Sequence, residues 1–449
     1  MQTLSIEYQP LGALKPRASN PRTHSDKQID QIAHAILRFG FTNPILVGTD
    51  NLIAAGEGRW RAARKLGLAE VPTVRLSDMT EAELRAYALA DNKLAENAGW
   101  DRNLLGLELQ YLSDLGLEDL DLTITGFELP EIDVLIGELS GTQAADGSAD
   151  AMVEPVAGPA ITRPGDIWQI GEHRLICGDS TRAETYAALL GDKRAQMVFS
   201  DPPYNVPVSG HVGGLGKVQH REFAMASGEM SEAEFVAFLR SVFVHLPAAA
   251  VNGAIHFQCI DWRHIGEMLE AGKGIYSELK NICVWSKNNA GMGSLYRSQH
   301  EFVCVFKSGT APHINNVELG KYGRYRTNVW NYAGVNGFGD GRSDLELHPT
   351  VKPVAMVEDA IRDCSRRAGI IFDPFLGSGT TIITAERTGR RGFGIEIDPA
   401  YCDVTLRRVQ EVCGLVPRLE ATGQTFEQVT QERAQDVLPE QDAPSGSSQ

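Results

Sequence analysis

Residues 370–381 read Ile370-Ile371-Phe372-Asp373-Pro374-Phe375-Leu376-Gly377-Ser378-Gly379-Thr380-Thr381. The apolar run suits a buried strand, and the two glycines end it in a loop that opens a helix at Thr380 or Thr381. Gly377 and Gly379 let the backbone approach a ligand closely. The helix N-terminus favours negative charge, here a carboxylate. The spacing is not the dinucleotide pattern G-x-G-x-x-G, and no Gly-Lys-Ser/Thr follows, so a pyrophosphate ligand is disfavoured. Strand, glycine loop and helix together make one unit of a doubly wound α/β sheet.

About 20 residues further on, Gly392-Phe393-Gly394-Ile395-Glu396-Ile397-Asp398 is a strand ending in acids. In nucleoside-binding folds an acid at this spacing accepts ribose hydroxyls. Glu396 is chosen over Asp398, because Asp398-Pro399 reads as the cap of the next helix. Upstream, the strand Met197-Val198-Phe199-Ser200 runs into Asp201-Pro202-Pro203-Tyr204. Further apolar runs at 174–177, 254–258, 280–285 and 302–306 bring the count to seven strands, with helices between them. The expectation is a Rossmann-like α/β domain over 161–418 with a seven-stranded sheet.

Asp201-Pro202-Pro203-Tyr204 carries a chemistry of its own. An exocyclic amine on a nucleobase is a poor nucleophile, because its lone pair is delocalised into the ring. Acceptors that pull on its N–H groups sharpen the nitrogen toward an electrophile. Asp201 supplies one acceptor, and the Pro202 carbonyl a second, held where proline fixes φ. Tyr204 offers an aromatic face for a flipped-out base. The plain alternative is a strand followed by an ordinary proline turn.

The chain has 449 residues, enough for two to four domains at roughly 100–200 residues each. An apolar share of 43% and a charged share of 22% exclude wholesale disorder, a collagen and a disulfide-rich mini-protein. No run is long and apolar enough to span a membrane. The segment from Met1 to Glu7 lacks the pattern of a secretory signal. Seven cysteines lie scattered at 177, 259, 283, 304, 364, 402 and 413 without a C-x-x-C pair, so no metal is expected and a reducing cytoplasm fits.

The net charge of −16 argues weakly against generic nucleic-acid binding, but it is uneven. Residues 101–140 hold one Arg and ten acids, a balance of −9, whereas 281–344 hold seven basic and four acidic residues, a balance of +3. Screening confines each field to about 8–10 Å, so a locally basic surface can still meet phosphate.

Outside 161–418 the chain divides by composition. Residues 1–98 predict a helix from Ser25 to Gly40 with Ser25 and Gln28 at capping-box spacing, and strands near 44–47, 52–55 and 71–76. Gly56-Glu57-Gly58-Arg59-Trp60-Arg61-Ala62 opens a basic helix, and 80–95 are helical. Residues 99–140 read as an acidic helical connector, 141–160 as a flexible linker and 419–449 as a disordered tail.

Taken together, these motifs resemble the S-adenosylmethionine-dependent DNA amino-methyltransferases. The catalytic motif precedes the cofactor loop, as in the permuted beta group. Cys177-Gly178-Asp179-Ser180 resembles that group's Gly-Asp motif, which would set Asp179 against the cofactor's adenine. His348-Pro349-Thr350-Val351-Lys352-Pro353 resembles the motif opening the cofactor half, with His348, Thr350 and Lys352 near the methionine end. Trp285-Ser286-Lys287 and His300-Glu301 also look like family positions. The resemblance implies Asp201, Pro202, Pro203 and Tyr204 as catalytic. It implies Asp179, Asp201, His348, Thr350, Lys352, Asp373, Pro374, Phe375, Gly377, Ser378, Gly379, Thr380 and Glu396 as cofactor-binding. Asp at the head of the tetrapeptide resembles adenine-specific enzymes. Double-stranded DNA is the implied partner, and a homodimer is left open. A solitary or restriction-modification enzyme of phage or prophage setting is implied.

Two stretches are candidates for target recognition. One is 205–230, with His211, Lys217, His220 and Arg221. The other is 286–344, with Lys287, Asn288, Asn289, Arg297, Lys321, Arg324, Arg326 and Arg342 among Tyr296, Tyr322, Tyr325 and Trp330.

Residues 1–98 resemble the ParB N-terminal (ParB/sulfiredoxin-like) domain, a small α+β unit, through Asn20-Pro21-Arg22, Asn43-Pro44 and the glycine-opened helix. Gly58 stands where that family shows arginine, and Gly99-Trp100 interrupts its later Glu-Asn pattern. The resemblance implies a nucleotide triphosphate held by Gly56, Glu57, Arg59 and Arg61.

Overall fold

A computed structural model describes residues 4–18, 20–115, 122–140, 158–206, 228–288, 295–317, 326–333 and 352–435. The chain forms two compact units, 1–145 and 146–449.

In the first unit, strands β1 (Ile6–Pro10), β2 (Ile45–Val47), β3 (Ile53–Ala55) and β4 (Glu70–Arg75) form a sheet in the order β1-β4-β2-β3. Leu11, Leu14, Ile45, Val47, Ile53, Ala63 and Val71 fill its core. The helix Asp26–Phe39 starts where expected. The Ser25 side chain accepts from the Gln28 N–H, and Gly40 ends the helix with φ +80°. The Gln28 side chain, however, meets His24 Nδ1 at 2.9 Å, so the capping box is half made. The acidic stretch folds into the helices Arg102–Asp114 and Leu129–Ser140, packed around Leu109, Leu122, Ile132, Leu135 and Ile136. Gly106 allows the close approach, since a Cβ there would lie 2.9 Å from the Leu135 carbonyl oxygen.

The second unit is built on one sheet. Its strands are β5 (Ile167–Ile170), β6 (His173–Cys177), β7 (Ala195–Ser200), β8 (Ala250–Ile260), β9 (Glu278–Ser286), β10 (His300–Lys307), β11 (Val329–Asn331), β12 (Ile370–Asp373), β13 (Arg391–Glu396) and β14 (Pro417–Leu419). Their spatial order is β11-β9-β10-β8-β7-β12-β13-β6-β5-β14. The sheet therefore has ten strands, not the expected seven. All seven expected strands are present and contiguous. β5, β11 and β14 extend the edges; each is only three or four residues long and shows no apolar run.

β8, β7, β12, β13 and β6 are mutually parallel. From β7 the chain steps outward to β8, and from β12 it steps the other way to β13. The strand order thus reverses between β7 and β12, and a crevice opens there beyond the carboxyl ends of the strands. β10 runs antiparallel to β8 and β9, so its first residues and the end of β9 lie at that same edge. Helices cover both faces. Glu232–Phe243 and Ile265–Gly272 pack through Phe235, Leu239, Phe243 and Met268 on one side, and Val354–Cys364 through Met356, Val357 and Ile361 on the other.

Residues 419–435 are not disordered. β14 pairs with β5, and the helix Phe426–Gln435 buries Phe426 and Val429, with Phe426 edge-on to Trp168 at 5.4 Å. Two apolar residues three apart dock this otherwise polar helix, and Arg433 ties it to Asp166 and the Ile161 carbonyl. Residues 436–449 and 141–157 lie outside the described residues. Among the described residues no helix is long and apolar enough to cross a membrane.

Candidate functional site

The glycine loop is held from several sides. Asp373, at the end of β12, accepts the Phe375 N–H at 2.9 Å and the Thr381 hydroxyl at 2.6 Å. The Leu376 N–H donates to the Ile395 carbonyl, and the Gly377 N–H to Glu396 Oε2 at 2.8 Å. Gly379 takes φ +85° as the cap of the helix Thr380–Arg387, and a Cβ there would sit 2.7 Å from Thr405 Cγ2. A Cβ on Gly377 would meet nothing within 4 Å, so that side of the loop is open. Fully buried Arg408, from the helix Pro399–Cys413, donates to the Ser378 carbonyl, the Ser378 hydroxyl and the Thr380 hydroxyl at 3.0–3.1 Å. Those three bonds offset part of the cost of burying its charge and tie the loop to the helix.

The acids expected to read the cofactor converge on this loop. Glu396 Oε1 accepts the Asp398 N–H at 2.9 Å, while Asp398 caps its helix by accepting from Ala400. Gly178, after β6, donates its N–H to the Glu396 carbonyl at 2.8 Å, which sets Asp179 beside the end of β13. Asp179 Oδ1 accepts the N–H and hydroxyl of Thr181, both at 2.8 Å. Burial pushes the Asp373 and Glu396 carboxyls up to about 7, against the hydrogen bonds each accepts.

Across the crevice lies a buried charged cluster. Asp201 Oδ2 pairs with Lys352 Nζ at 2.7 Å, and Asp201 Oδ1 accepts the Tyr204 hydroxyl at 2.6 Å. Glu301, at the start of β10, accepts the same Tyr204 hydroxyl at 3.0 Å and faces Lys352 Nζ at 3.1 Å. Its other oxygen accepts from Lys287 Nζ at 2.5 Å. Two carboxylates and two ammonium groups balance. Burial alone would raise the Glu301 carboxyl, but Lys352 and Lys287 outweigh it and hold it at about 2. Burial pushes Asp201 up, with Lys352 opposing. Burial opposes the Lys352 charge too, yet Asp201 and Glu301 raise its pKa well above the ordinary range. Trp285 backs both lysines, with Lys287 Nζ 4.6 Å and Lys352 Nζ 5.7 Å from its ring centroid.

The structure thus brings Asp179, Asp201, Tyr204, Lys352, Asp373, the 377–380 loop and Glu396 to one edge of the sheet. His348 and Thr350 lie outside the described residues, as do 207–227 and 334–351. Three residues expected to face DNA are engaged within the fold, Lys287 and Arg326 half-buried and Trp330 buried. Lys287 is committed to Glu301. Arg326 pairs with Asp359 and Asp363, each at 3.0 Å, and donates to the Tyr332 hydroxyl. Trp330 is buried on β11 and donates to the Thr327 carbonyl. For Lys287 and Arg326 the acids that hold them, Glu301, Asp359 and Asp363, are remote in sequence. Tyr296 is 85% exposed and stays available. Glu301 was seen only as part of a family dipeptide; its acidity within the apolar strand β10 was the available signal of a buried polar role.

In the first unit Gly56, with φ +99°, opens the helix Glu57–Lys65. Glu57 accepts from the Asn20 side chain at 2.6 Å, Arg61 donates to the His24 carbonyl at 3.2 Å, and Arg59 to the Pro44 carbonyl at 3.3 Å. Arg59 folds over Gly56, where a Cβ would lie 2.8 Å from its Nη2. Burial lowers the Arg59 pKa, with Asp91 opposing. A Cβ on Gly58 would come within 3.1 Å of His24 and Ile32, so an arginine there would lose this packing.

Comparison with known proteins follows these divisions. A family model described as DNA methylase, of the N6/N4 class, matches residues 195–407. Models described as ParB N-terminal domain and ParB-methyltransferase HTH domain match residues 2–93 and 103–164. The chain carries a DNA methylase domain of the N6/N4 class and an N-terminal ParB domain. Over 80 residues it is 44% identical to the ParB-like nuclease domain-containing protein YnaK of Escherichia coli K12, covering 18% of this chain and 92% of that one. Over 90 residues it is 43% identical to the type II methyltransferase M.ScaI of Streptomyces caespitosus, covering 20% of this chain and 29% of the relative. Over 82 residues it is 40% identical to the DNA adenine methyltransferase YhdJ of Escherichia coli K12, covering 18% and 27%. The chain thus spans less than a third of the length of these two methyltransferases.

Proposed function

We propose that this chain transfers a methyl group from S-adenosylmethionine to the exocyclic amino group of adenine in double-stranded DNA. The observation that carries the reading is the pairing, across one crevice, of the Asp201 cluster with the glycine loop and its buried acids. The residues fit the cofactor. Glu396 is an acceptor for ribose hydroxyls, Asp179 lies beside it for the adenine, and the open side of Gly377 admits a close approach. When bound, the cofactor supplies a methyl group on a positively charged sulfur. Asp201 and the Pro202 carbonyl accept N–H bonds from the target amine and localise its lone pair. Tyr204 backs the extruded base. Asp at position 201, and the similarity to a relative named as an adenine enzyme, favour adenine over cytosine.

Incubation with methyl-labelled S-adenosylmethionine and mixed-sequence duplex DNA tests this. Label in the DNA is expected. No label from protein that binds the cofactor would contradict the proposal.

Cofactor affinity carries a pH signature. Glu396 accepts hydroxyl donors as an anion, and burial raises its carboxyl to about 7. Protonation on acidification must therefore weaken binding. Between pH 8 and pH 6 the Kd is expected to rise about tenfold. Glu396→Gln should bind weakly throughout and lose the Glu396 part of this slope. Calorimetric titration at several pH values checks it; an unchanged slope in the variant would refute the assignment.

The N-terminal unit offers a second ligand site. Gly56 opens the helix Glu57–Lys65, whose N-terminus suits an anion, and among the described residues Arg59 Nε is buried with no hydrogen-bond partner. A nucleotide triphosphate is the candidate.

A further inference from the structure

The proposed reaction needs Asp201 free to accept N–H bonds, yet the structure shows it held by two donors. Lys352 Nζ lies 2.7 Å from Asp201 Oδ2 and the Tyr204 hydroxyl 2.6 Å from Asp201 Oδ1. Both donors have the same second acceptor within reach. Glu301 Oε2 is 3.1 Å from Lys352 Nζ and 3.0 Å from the Tyr204 hydroxyl. We propose that Glu301 is a positioning residue: it takes over Lys352 and Tyr204 as the target amine arrives and so releases Asp201 to bind it. The inference rests on the methyl-transfer reading above.

The exchange is small and balanced. Lys352 Nζ already spans both carboxylates, so a shift of a few tenths of an ångström changes which of its bonds is the shorter, and the single Tyr204 O–H proton needs only to turn from Asp201 to Glu301. No proton or charge moves between residues. Lys287 holds the far oxygen of Glu301 at 2.5 Å and keeps it anionic, so the receiving site is prepared. The Trp285 ring stays against both ammonium groups throughout. A carboxylate accepts about four hydrogen bonds. The amine can therefore bind Asp201 before either donor leaves. Charge-assisted bonds from the amine strengthen once Lys352 no longer neutralises Asp201. Position favours the exchange too: Glu301 pairs with Trp285 in register, at the sheet edge where β7 delivers Asp201.

Glu301→Gln and Glu301→Asp test it in the full chain. Single-turnover methyl transfer into duplex DNA is measured beside cofactor Kd, DNA Kd and melting temperature. Glu301→Gln is expected to slow transfer about a hundredfold with both affinities within about threefold of the parent. Glu301→Asp keeps the charge but is one methylene short of the two donors, and is expected to be about tenfold slower. It decides the matter alone if the Gln variant does not fold. Transfer at the parent rate, or a rate loss matched by an equal loss of affinity, would overturn the proposal. A parent protein that binds cofactor but methylates no DNA would overturn the methyl-transfer reading itself, whereas an active parent with an equally active Glu301→Gln overturns only the role of Glu301.

Discussion

Asp201→Ala is expected to lower the rate of methyl transfer about a thousandfold while leaving cofactor affinity within about threefold of the parent. The rate falls because the carboxylate that polarises the amine is gone. Cofactor affinity survives because, although the resemblance also places Asp201 by the cofactor, the hydrogen bonds that hold Glu396, Asp179 and the 377–380 loop do not involve it. The fold survives as well, because Lys352 keeps Glu301 at 3.1 Å as a counter-charge. Asp201→Asn retains an acceptor without the charge and should fall between the two. Steady-state transfer with parallel calorimetry checks the series. An alanine variant at full rate would remove Asp201 from the mechanism.

The second large effect is on stability. Lys352 is 5% exposed and pairs with two carboxylates. Lys352→Met fills similar volume but leaves Asp201 and Glu301 facing each other, with Lys287 still paired to Glu301. Breaking a buried pair on one side costs about 3–5 kcal/mol. The loss has a definite pH dependence. In the parent, Glu301 is depressed to about 2, so its contribution is present above the unfolded carboxyl range and is lost as pH falls through about 2. In the variant, Asp201 loses the cation that opposes burial and the repulsion of Glu301, so its carboxyl is raised further, while Lys287 still holds Glu301. A raised carboxyl binds its proton more readily in the folded state, so the variant regains stability as pH falls. Denaturant unfolding at pH 8 and pH 5 should show the gap between parent and variant narrowing on acidification. A gap that stays constant would mean that Lys352 contributes packing and not charge.

The parts of this fold that local chemistry determines were legible in the sequence. The run Ile370 to Thr381 can be little other than strand, loop and helix. The seven inner strands announce themselves by their apolar runs, because strands covered on both faces need continuous apolar residues. β5, β11 and β14 did not, because a three- or four-residue edge strand needs few buried side chains. The docked helix Phe426–Gln435 was missed for a similar reason: its sequence is polar apart from Phe426 and Val429. The two acidic helices at 102–140 were read as a connector, although Gly106 within a helical pattern was a sign of close helix packing. At the site, Asp201, Glu396 and the glycine loop were found because motif spacing carries them. The cluster formed by Lys287, Glu301 and Lys352 was not. Its members lie 14 to 151 residues from their partners, so only the folded sheet edge brings them together.

Digestion of the labelled DNA to nucleosides tests the central claim most directly. After transfer from methyl-labelled S-adenosylmethionine to duplex DNA, the account predicts that the label elutes as N6-methyladenine deoxynucleoside and is lost in Asp201→Ala. Label in a cytosine nucleoside, or transfer confined to RNA, would contradict it.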